Sequence, residues 1–373
     1  MALSTIAEPL ILKDWEDNYN IEWVRQSGFQ PYMGMDENNP IIVKKQLIKG
    51  GQVISIPLVF ALRGAGKGTG TLVGSEEATQ SGGYDVKPFW HRQATTADKD
   101  TDHITAFDLL KARREVLKIW EMDTMRDNIV NALNVMVESS GAYDKVNGHP
   151  KQVPFAEAST ANKNTWAAAN AWRIQAGALA SNYNATFATM AATLDTTDDT
   201  ATVEFIRACK GVAKARDKST GRPSIKPIRT GDQGREYFIK FMPTAPFQDL
   251  QADMETINLD GRPRDVDSNP VFQDGDLIVD GVICREIPEI QSWGAIGASS
   301  ANVYPTFMLG AQALALAWGQ MPKATERKED DYGFVKGVGT ESLYAVEKML
   351  YTPPGASAAI DYGMVTGLVA SAR

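Results

Sequence analysis

The longest regular pattern in the chain is AFDLLKARREVLKIWEMDTMRDNIVNAL, residues 106–133. Its apolar residues recur at the spacing of one helical face, and no glycine or proline interrupts the pattern before Gly141. Thr105 and Asp108 have the spacing of a capping box, whose side chains accept hydrogen bonds from N–H groups of the first turn. The pattern predicts a helix over about 106–139, a rod of about 50 Å that acts as a spine.

A glycine-rich turn, RGAGKGTGT from Arg63 to Thr71, lies upstream of this helix and follows the apolar run QVISIPLVFAL. This order resembles a phosphate-binding loop, in which glycine N–H groups, a lysine and a helix N-terminus surround phosphate oxygens. The match is partial, because Ala61 replaces the first glycine of the motif and Gly68 replaces its magnesium-binding Ser or Thr. Further glycines and a proline follow, so no helix is expected at Lys67. We interpret the turn as a flexible connection between two extended segments.

The two extended segments are QVISIPLVFAL and the return through TLVG and YDVKPFWHRQA. Apolar and other residues alternate in the first of them, and Pro57 within it argues for an edge or protruding strand. Together they predict a long β-hairpin that projects from the body of the protein.

The composition is that of a globular chain, with 373 residues, 43% hydrophobic and 23% charged. Two cysteines and three scattered histidines are too few for a zinc site or a disulfide framework. The amino terminus lacks the pattern of a signal peptide. The most apolar window, Phe307 to Trp318, is shorter than the roughly 20 residues that cross a bilayer. We expect this window to be a buried helix, and we expect no membrane contact.

The remaining segments mix helices and strands. Residues 159–216 read as two or three helices, the last of which, TATVEFIRACKGVAKAR, is expected to begin at Asp198 or Thr200. After a linker, REYFIKFM and DLIVDGVICREI read as strands, ESLYAVEKMLY as a strand or a helix, and the carboxyl end as a tail rich in Ala and Gly. No nucleophile–base pair or catalytic motif is present, so we expect no enzyme and no cofactor.

Basic residues are concentrated in one strip of a chain whose net charge is -8. Between Ile41 and Leu72 there is no acidic residue and there are five basic ones, Lys44, Lys45, Lys49, Arg63 and Lys67. Such a strip favours an acidic partner. DNA fits poorly, because the strip lacks interleaved aromatic residues and the acidic remainder repels a polyanion. A neighbouring copy of the chain fits better.

Several stretches, in this order along the chain, resemble the major capsid proteins of tailed bacteriophages, which share the Hong Kong 97-type fold, and in particular their N-four-like group. They are FALRGAGKGTGTLVGSEEA, the long helix quoted above, IKPIRTGDQGREYFIKFMPTAPFQDLQAD, NPVFQDGDLIVDGVICREIPEI, and FMLGAQALALAWGQ followed by EDDYGFVKGVG. The resemblance covers about three quarters of the chain.

The resemblance implies an α+β fold in which the hairpin and spine predicted above have assigned places. It implies an N-terminal arm over 1–45 and an extended loop over 46–100, with the tip of the loop near 63–71. It further implies a peripheral domain over 101–155 that contains the spine helix, and an axial domain over 156–300 with β-rich returns to the peripheral domain. The last implied part is a C-terminal helix, strand and tail over 301–373.

The implied function is self-assembly, through hexamers and pentamers, into an icosahedral shell around double-stranded phage DNA. Portal and possible scaffolding or decoration proteins are implied partners, the DNA is held non-specifically, and the virion is assembled in the bacterial host cytoplasm. We expect the basic strip to face acidic residues on the spine helix of an adjacent subunit, namely Glu121, Asp123 and Asp127. An encapsulin-like compartment of the same fold is the alternative, and a phosphate-loop enzyme is a weaker one.

Overall fold

A computed structural model describes most of the chain. The described residues are 28–45, 54–64, 66–79, 81–100, 109–137, 152–217, 221–230, 234–260, 276–327, 332, 334–352 and 359–373. They divide into two compact units, the first containing Trp90–Met125 and Gln320–Leu343, and the second containing Gly28–Phe89, Arg126–Gly319 and Tyr344–Arg373.

Helices and strands alternate irregularly along the described residues. The α-helices are α1 (Leu109–Leu133), α2 (Thr160–Ala169), α3 (Phe187–Ala192), α4 (Val203–Lys214) and α5 (Thr244–Asp260). The strands are β1 (Met33–Gly34), β2 (Ile41–Lys45), β3 (Ile54–Val59), β4 (Ser81–Val86), β5 (Phe89–Asp98), β6 (Val135–Val137), β7 (Gln152–Pro154), β8 (Ile174–Ala176), β9 (Arg229–Thr230), β10 (Glu236–Met242), β11 (Leu277–Val279), β12 (Val282–Glu286), β13 (Asn302–Leu309), β14 (Leu314–Glu326), β15 (Val335–Lys348), β16 (Leu350–Tyr351), β17 (Ile360–Asp361) and β18 (Met364–Ser371).

The predicted spine helix is confirmed as α1, but it ends at Leu133, six residues before the predicted end. At the end of the helix, the Asn134 side-chain amide donates a 3.0 Å hydrogen bond to the Val130 carbonyl. The next residues form β6, which pairs antiparallel with β7. Two β-branched residues in VMV favour an extended backbone, and the pairing with β7 stops the helix there. The predicted capping box lies outside the described residues.

The second unit contains a seven-stranded sheet in the order β11-β12-β10-β13-β18-β8, with β9 paired to β10. All eight residues of β18 are buried, and they pair antiparallel with β13 along its whole length. Helix α4 packs Phe205, Ile206 and Cys209 into the core beside this sheet. The helix is confirmed where the sequence predicts it, but its N-cap is Thr202, whose hydroxyl accepts a hydrogen bond from the Phe205 N–H.

Two predictions near the carboxyl end are wrong. The apolar window Phe307–Trp318 is buried, but it is the end of β13 and the start of β14, joined by a turn in which Gln312 has a φ of 62°. The expected tail contains β18, a central strand. A short run that is apolar on every side suits a strand covered on both faces as well as it suits a buried helix, so its periodicity does not separate the two.

A second sheet has the strand order β1-β2-β14-β15-β5. Strand β2 runs parallel to the beginning of β14, with Ile41 opposite Leu314. Strand β14 begins in the second unit and ends in the first, and β15 begins in the first and ends in the second. The segment ESLYAVEKMLY is therefore extended, which is one of its two predicted structures.

A buried ionic cluster ties several connections together in the second unit. The Lys348 ammonium donates to the Val135 carbonyl at 2.8 Å and to Asp361 Oδ2 at 3.2 Å. The same carboxylate oxygen accepts from Trp166 Nε1 at 3.2 Å. Burial lowers the pKa of Lys348, and the carboxylate compensates its charge inside the protein.

Candidate intersubunit surface

The predicted β-hairpin is confirmed as β3 and β4, which pair antiparallel from Ile54 opposite Val86 to Val59 opposite Ser81. Its base is anchored in the second unit. Ile54, Ile56 and Val86 are buried, in a cluster with residues that include Ala315, Ala345 and Met349.

Two tyrosine hydroxyls fix the base of the hairpin further. Tyr84 donates to Glu347 Oε2 at 2.6 Å, and Tyr351 donates to the Ile56 carbonyl at 3.3 Å. The hairpin is therefore held firmly at its base.

Apolar side chains become exposed beyond this base. The exposed fractions are 65% for Val59, 55% for Leu62, 64% for Leu72 and 81% for Val73. Exposed apolar side chains that are grouped on one element are typical of a surface that contacts another protein. The loop at the end of the hairpin is thus the strongest candidate for an intersubunit contact.

Carboxylates of the loop itself hold the glycine-rich turn in place. The two oxygens of Glu77 accept hydrogen bonds from the Arg63 N–H at 2.7 Å and from the Gly64 N–H at 2.6 Å. Glu76 accepts a 2.7 Å hydrogen bond from the Gly74 N–H. No helix occurs in the described residues 66–79. The interpretation of this stretch as a turn is confirmed, and two of its backbone donors are bound to a carboxylate of the same chain.

The predicted basic strip is described only in part. Lys44 lies in β2 and is half-buried, whereas the Lys45 side chain and all of Lys49 lie outside the described residues. Arg63 donates a 3.0 Å hydrogen bond to the Gly221 carbonyl. Lys67 is exposed on the loop. The structure therefore gives Arg63 a partner within its own chain and presents Lys67 to solvent.

The three acidic candidates lie on α1 in different environments. Glu121 and Asp123 are half-buried. One oxygen of Glu121 accepts a 3.2 Å hydrogen bond from the Thr340 hydroxyl. Asp127 is exposed and lies 3.0 Å from Arg126. Asp127 is therefore the most accessible of the three, and a contact with the basic strip of another copy stays a prediction.

Three residues around the hairpin were missed by the sequence analysis. Glu77 is an exposed loop residue whose carboxylate accepts hydrogen bonds from two backbone N–H groups. Arg216 and Arg222 lie within the segment between α4 and β9, and both line a pocket with Val59 at the end of β3. One signal in the sequence indicated the grouping of these two arginines, which is that both lie close to Gly221 and Pro223 along the chain.

An α+β body with an anchored hairpin and an exposed apolar loop defines an assembling structural protein. Residues 4–372 match the family model described as phage capsid protein. The chain belongs to the phage capsid protein family.

Solved structures agree with this assignment. The chain is similar to the cyanophage Pam1 capsid protein, with 32% identity, a TM-score of 0.84 and 100% of each chain covered. It is similar to the capsid protein of Ralstonia phage GP4, with 18% identity, a TM-score of 0.72, and 100% of this chain and 99% of that chain covered. For the capsid protein of Helicobacter pylori bacteriophage KHP30, the identity is 14%, the TM-score 0.67, and the coverage 97% of this chain and 96% of that chain. A search of curated proteins found no match.

The protein is therefore a major capsid protein with the Hong Kong 97-type fold, a structural component of the virion that forms its shell. The encapsulin-like alternative is not favoured. Among the described residues, no helix has both the length and the apolar character needed to span a membrane.

Proposed function

We propose that the loop at the end of the hairpin reaches across a neighbouring copy and holds it in an icosahedral shell of hexamers and pentamers that encloses double-stranded phage DNA. The observation that carries this proposal is the exposure of Val59, Leu62, Leu72 and Val73 on an element whose base is firmly anchored. Burial of these side chains against another copy removes apolar surface from water, which is favourable.

Repetition makes such a contact effective. In a closed shell every copy gives its loop to one neighbour and receives a loop from another, so a modest contact recurs around the whole assembly. Once one contact of a copy has formed, its other contacts form at high effective concentration. The shell is thereby stable although no single interface is large.

Charged residues of the two copies modify the strength of this contact. Lys44, Lys45, Lys49, Arg63 and Lys67 of one copy face the acidic positions Glu121, Asp123 and Asp127 of the next. Exposed ion pairs are worth about 0–1 kcal/mol each. They therefore set register and salt sensitivity, while apolar burial supplies most of the stability.

The proposed domains follow from the family fold. Residues 1–45 form the arm, 46–100 the extended loop, 101–155 the peripheral domain, and 156–300 the axial domain, with 301–373 completing the two domains. The chain acts without catalysis. Portal and scaffolding or decoration proteins are its proposed partners, and it assembles in the host cytoplasm. A net charge of -8 gives the inner wall little attraction for DNA, which lets the genome slide during packaging.

Negative-stain microscopy and light scattering of the purified full chain test the proposal. We expect uniform closed shells or rings of five and six copies. Double-stranded DNA in shells from infected cells supports the phage assignment, and a packaged protein cargo supports the encapsulin alternative. A stable monomer at all concentrations contradicts the proposal.

A further inference from the structure

A pocket rich in arginine lies where the end of β3 meets the segment between α4 and β9. Its volume is about 270 Å³. The charged residues that line it are Arg63, Arg216, Asp217 and Arg222, and Tyr362 lines it as well. All of these residues belong to the second unit. Three guanidinium groups thus share a small pocket with one carboxylate.

Two of these guanidinium groups, those of Arg216 and Arg222, retain hydrogen-bonding capacity. Arg222 donates from Nη2 to the Val212 carbonyl at 3.0 Å, but its Nε is buried and has no hydrogen-bond partner among the described residues. Arg216 is exposed, and within the described part of the chain it makes no hydrogen bond or ion pair. Each guanidinium carries five N–H donors, so these two arginines have donors to spare.

A fourth arginine lies behind the pocket. Arg173 is 1% exposed and donates from Nη2 to the carbonyl of Pro223, a lining residue, at 2.8 Å. Its Nη1 is buried and has no hydrogen-bond partner among the described residues. Burial, together with the charge of Arg222, lowers the pKa of Arg173 to about 10. Positive charge is therefore crowded here.

Two carboxylates act on these arginines. Asp217 is the acidic group in the lining and interacts electrostatically with Arg222. Asp361 accepts from Arg173 through its backbone carbonyl at 3.2 Å, while its carboxylate oxygen Oδ2 pairs with Lys348. Buried polar groups without partners cost free energy, and guanidinium groups pair best with oxyanions that offer two acceptor oxygens.

We propose that this pocket binds one oxyanion, held by Arg63, Arg216 and Arg222. Two sources supply such a group, a side-chain carboxylate of a neighbouring copy and a free phosphate ion. Because Arg63 begins the glycine-rich turn and Arg216 and Arg222 follow α4, the bound oxyanion joins the hairpin to the core of the second unit. It thereby fixes the position of the hairpin end against this core.

Cryo-electron microscopy of shells assembled from the full chain, in buffer with and without inorganic phosphate, tests the proposal and separates the two sources. Density beside the three guanidinium groups that continues into an Asp or Glu of another copy identifies the neighbour's carboxylate. Isolated density that appears only with phosphate identifies the free ion. A pocket that contains only water under both conditions overturns the proposal.

The variants R216Q and R229Q give an independent test. Arg216 is exposed and makes no hydrogen bond or ion pair within the described residues, and Arg229 is an exposed arginine of β9 that does not line the pocket. Loss of a charge-assisted hydrogen bond weakens binding by about 10- to 100-fold. If the oxyanion is a neighbour's carboxylate, we expect R216Q to raise the critical concentration for assembly by about tenfold. If it is a phosphate ion, we expect R216Q to raise the phosphate dissociation constant by about tenfold. We expect R229Q to change neither quantity. Equal effects of the two variants overturn the proposal. Closed shells with an empty pocket leave the shell function standing, so the two failures are distinguishable.

Discussion

Apolar residues are buried in strand β18 and exposed in the loop that follows β3. All eight residues of β18 are buried, and they pair with β13 along the whole strand and with β8 at Thr366–Leu368, whereas Leu72 and Val73 of the loop are 64% and 81% exposed. Both segments belong to the same compact unit. The difference teaches that the chain buries one set of apolar side chains in its own core and leaves a second set exposed, and this second set is the one that we propose contacts other copies.

The largest effect is expected in the core. Replacing Phe205 by Ala removes a fully buried ring that also lies 4.1 Å from the Lys240 ammonium. Truncation of a buried Phe costs about 3–5 kcal/mol, and the lost cation–π contact adds to this cost. Urea unfolding of the unassembled chain measures the loss. The matched variant L72A in the loop is expected to cost less than about 0.5 kcal/mol, and equal losses would remove the contrast between the two regions.

The buried ion pair between Lys348 and Asp361 gives a second measure of how much the core contributes to stability. The variant K348M leaves the Asp361 carboxylate buried without its ammonium partner, which costs about 3–5 kcal/mol of unfolding free energy. The double variant K348M/D361L removes both charges, so we expect it to recover most of that loss. Calorimetry of the wild type, both single variants and the double variant provides the cycle. A double variant no more stable than K348M would show that the pair does not act as a unit.

An assembly effect without a folding effect is expected for the loop. The variant L72S/V73S removes apolar surface that the unassembled chain already exposes, so its unfolding free energy is expected to stay within about 0.5 kcal/mol of the wild type. Loss of apolar burial between copies is expected to weaken assembly by roughly 2 kcal/mol per copy. Light scattering against concentration measures the change. Unaltered assembly would mean that the loop does not touch a neighbour.

The smallest effect is expected for the basic strip. Reversing charge in K49E/K67E is expected to change assembly by about 0–1 kcal/mol per ion pair and to alter its dependence on salt. The variant R229E/K323E changes the net charge equally at exposed positions outside the strip. If both variants shift the salt dependence alike, net charge and not the strip is responsible.

Local pattern was enough to predict the spine helix, the hairpin and α4, because each depends on periodicity and turn residues within its own segment. Long-range pairing explains the errors. Nothing local in Phe307–Trp318 shows that both of its faces are covered within a sheet, and nothing local in the glycine-containing run of β18 shows that it lies between two strands. A strand identity of this kind is set by tertiary contacts.

The candidate surface was predicted in a similarly partial way. The excess of basic residues between Ile41 and Leu72 is visible in the sequence. The arginine pocket is not, because Arg63 and Gly221 are 158 residues apart and meet only through the fold. The hydrogen bond between the Glu77 carboxylate and the Arg63 N–H was likewise not visible in the sequence, because it depends on how the loop folds back on itself.

The most direct test of the account is the position of the loop in a cryo-electron microscopy reconstruction of shells formed by the full chain. The account predicts that Val59, Leu62, Leu72 and Val73 lie within about 4.5 Å of apolar side chains of a neighbouring copy. Closed shells in which these four side chains project into solvent would contradict it.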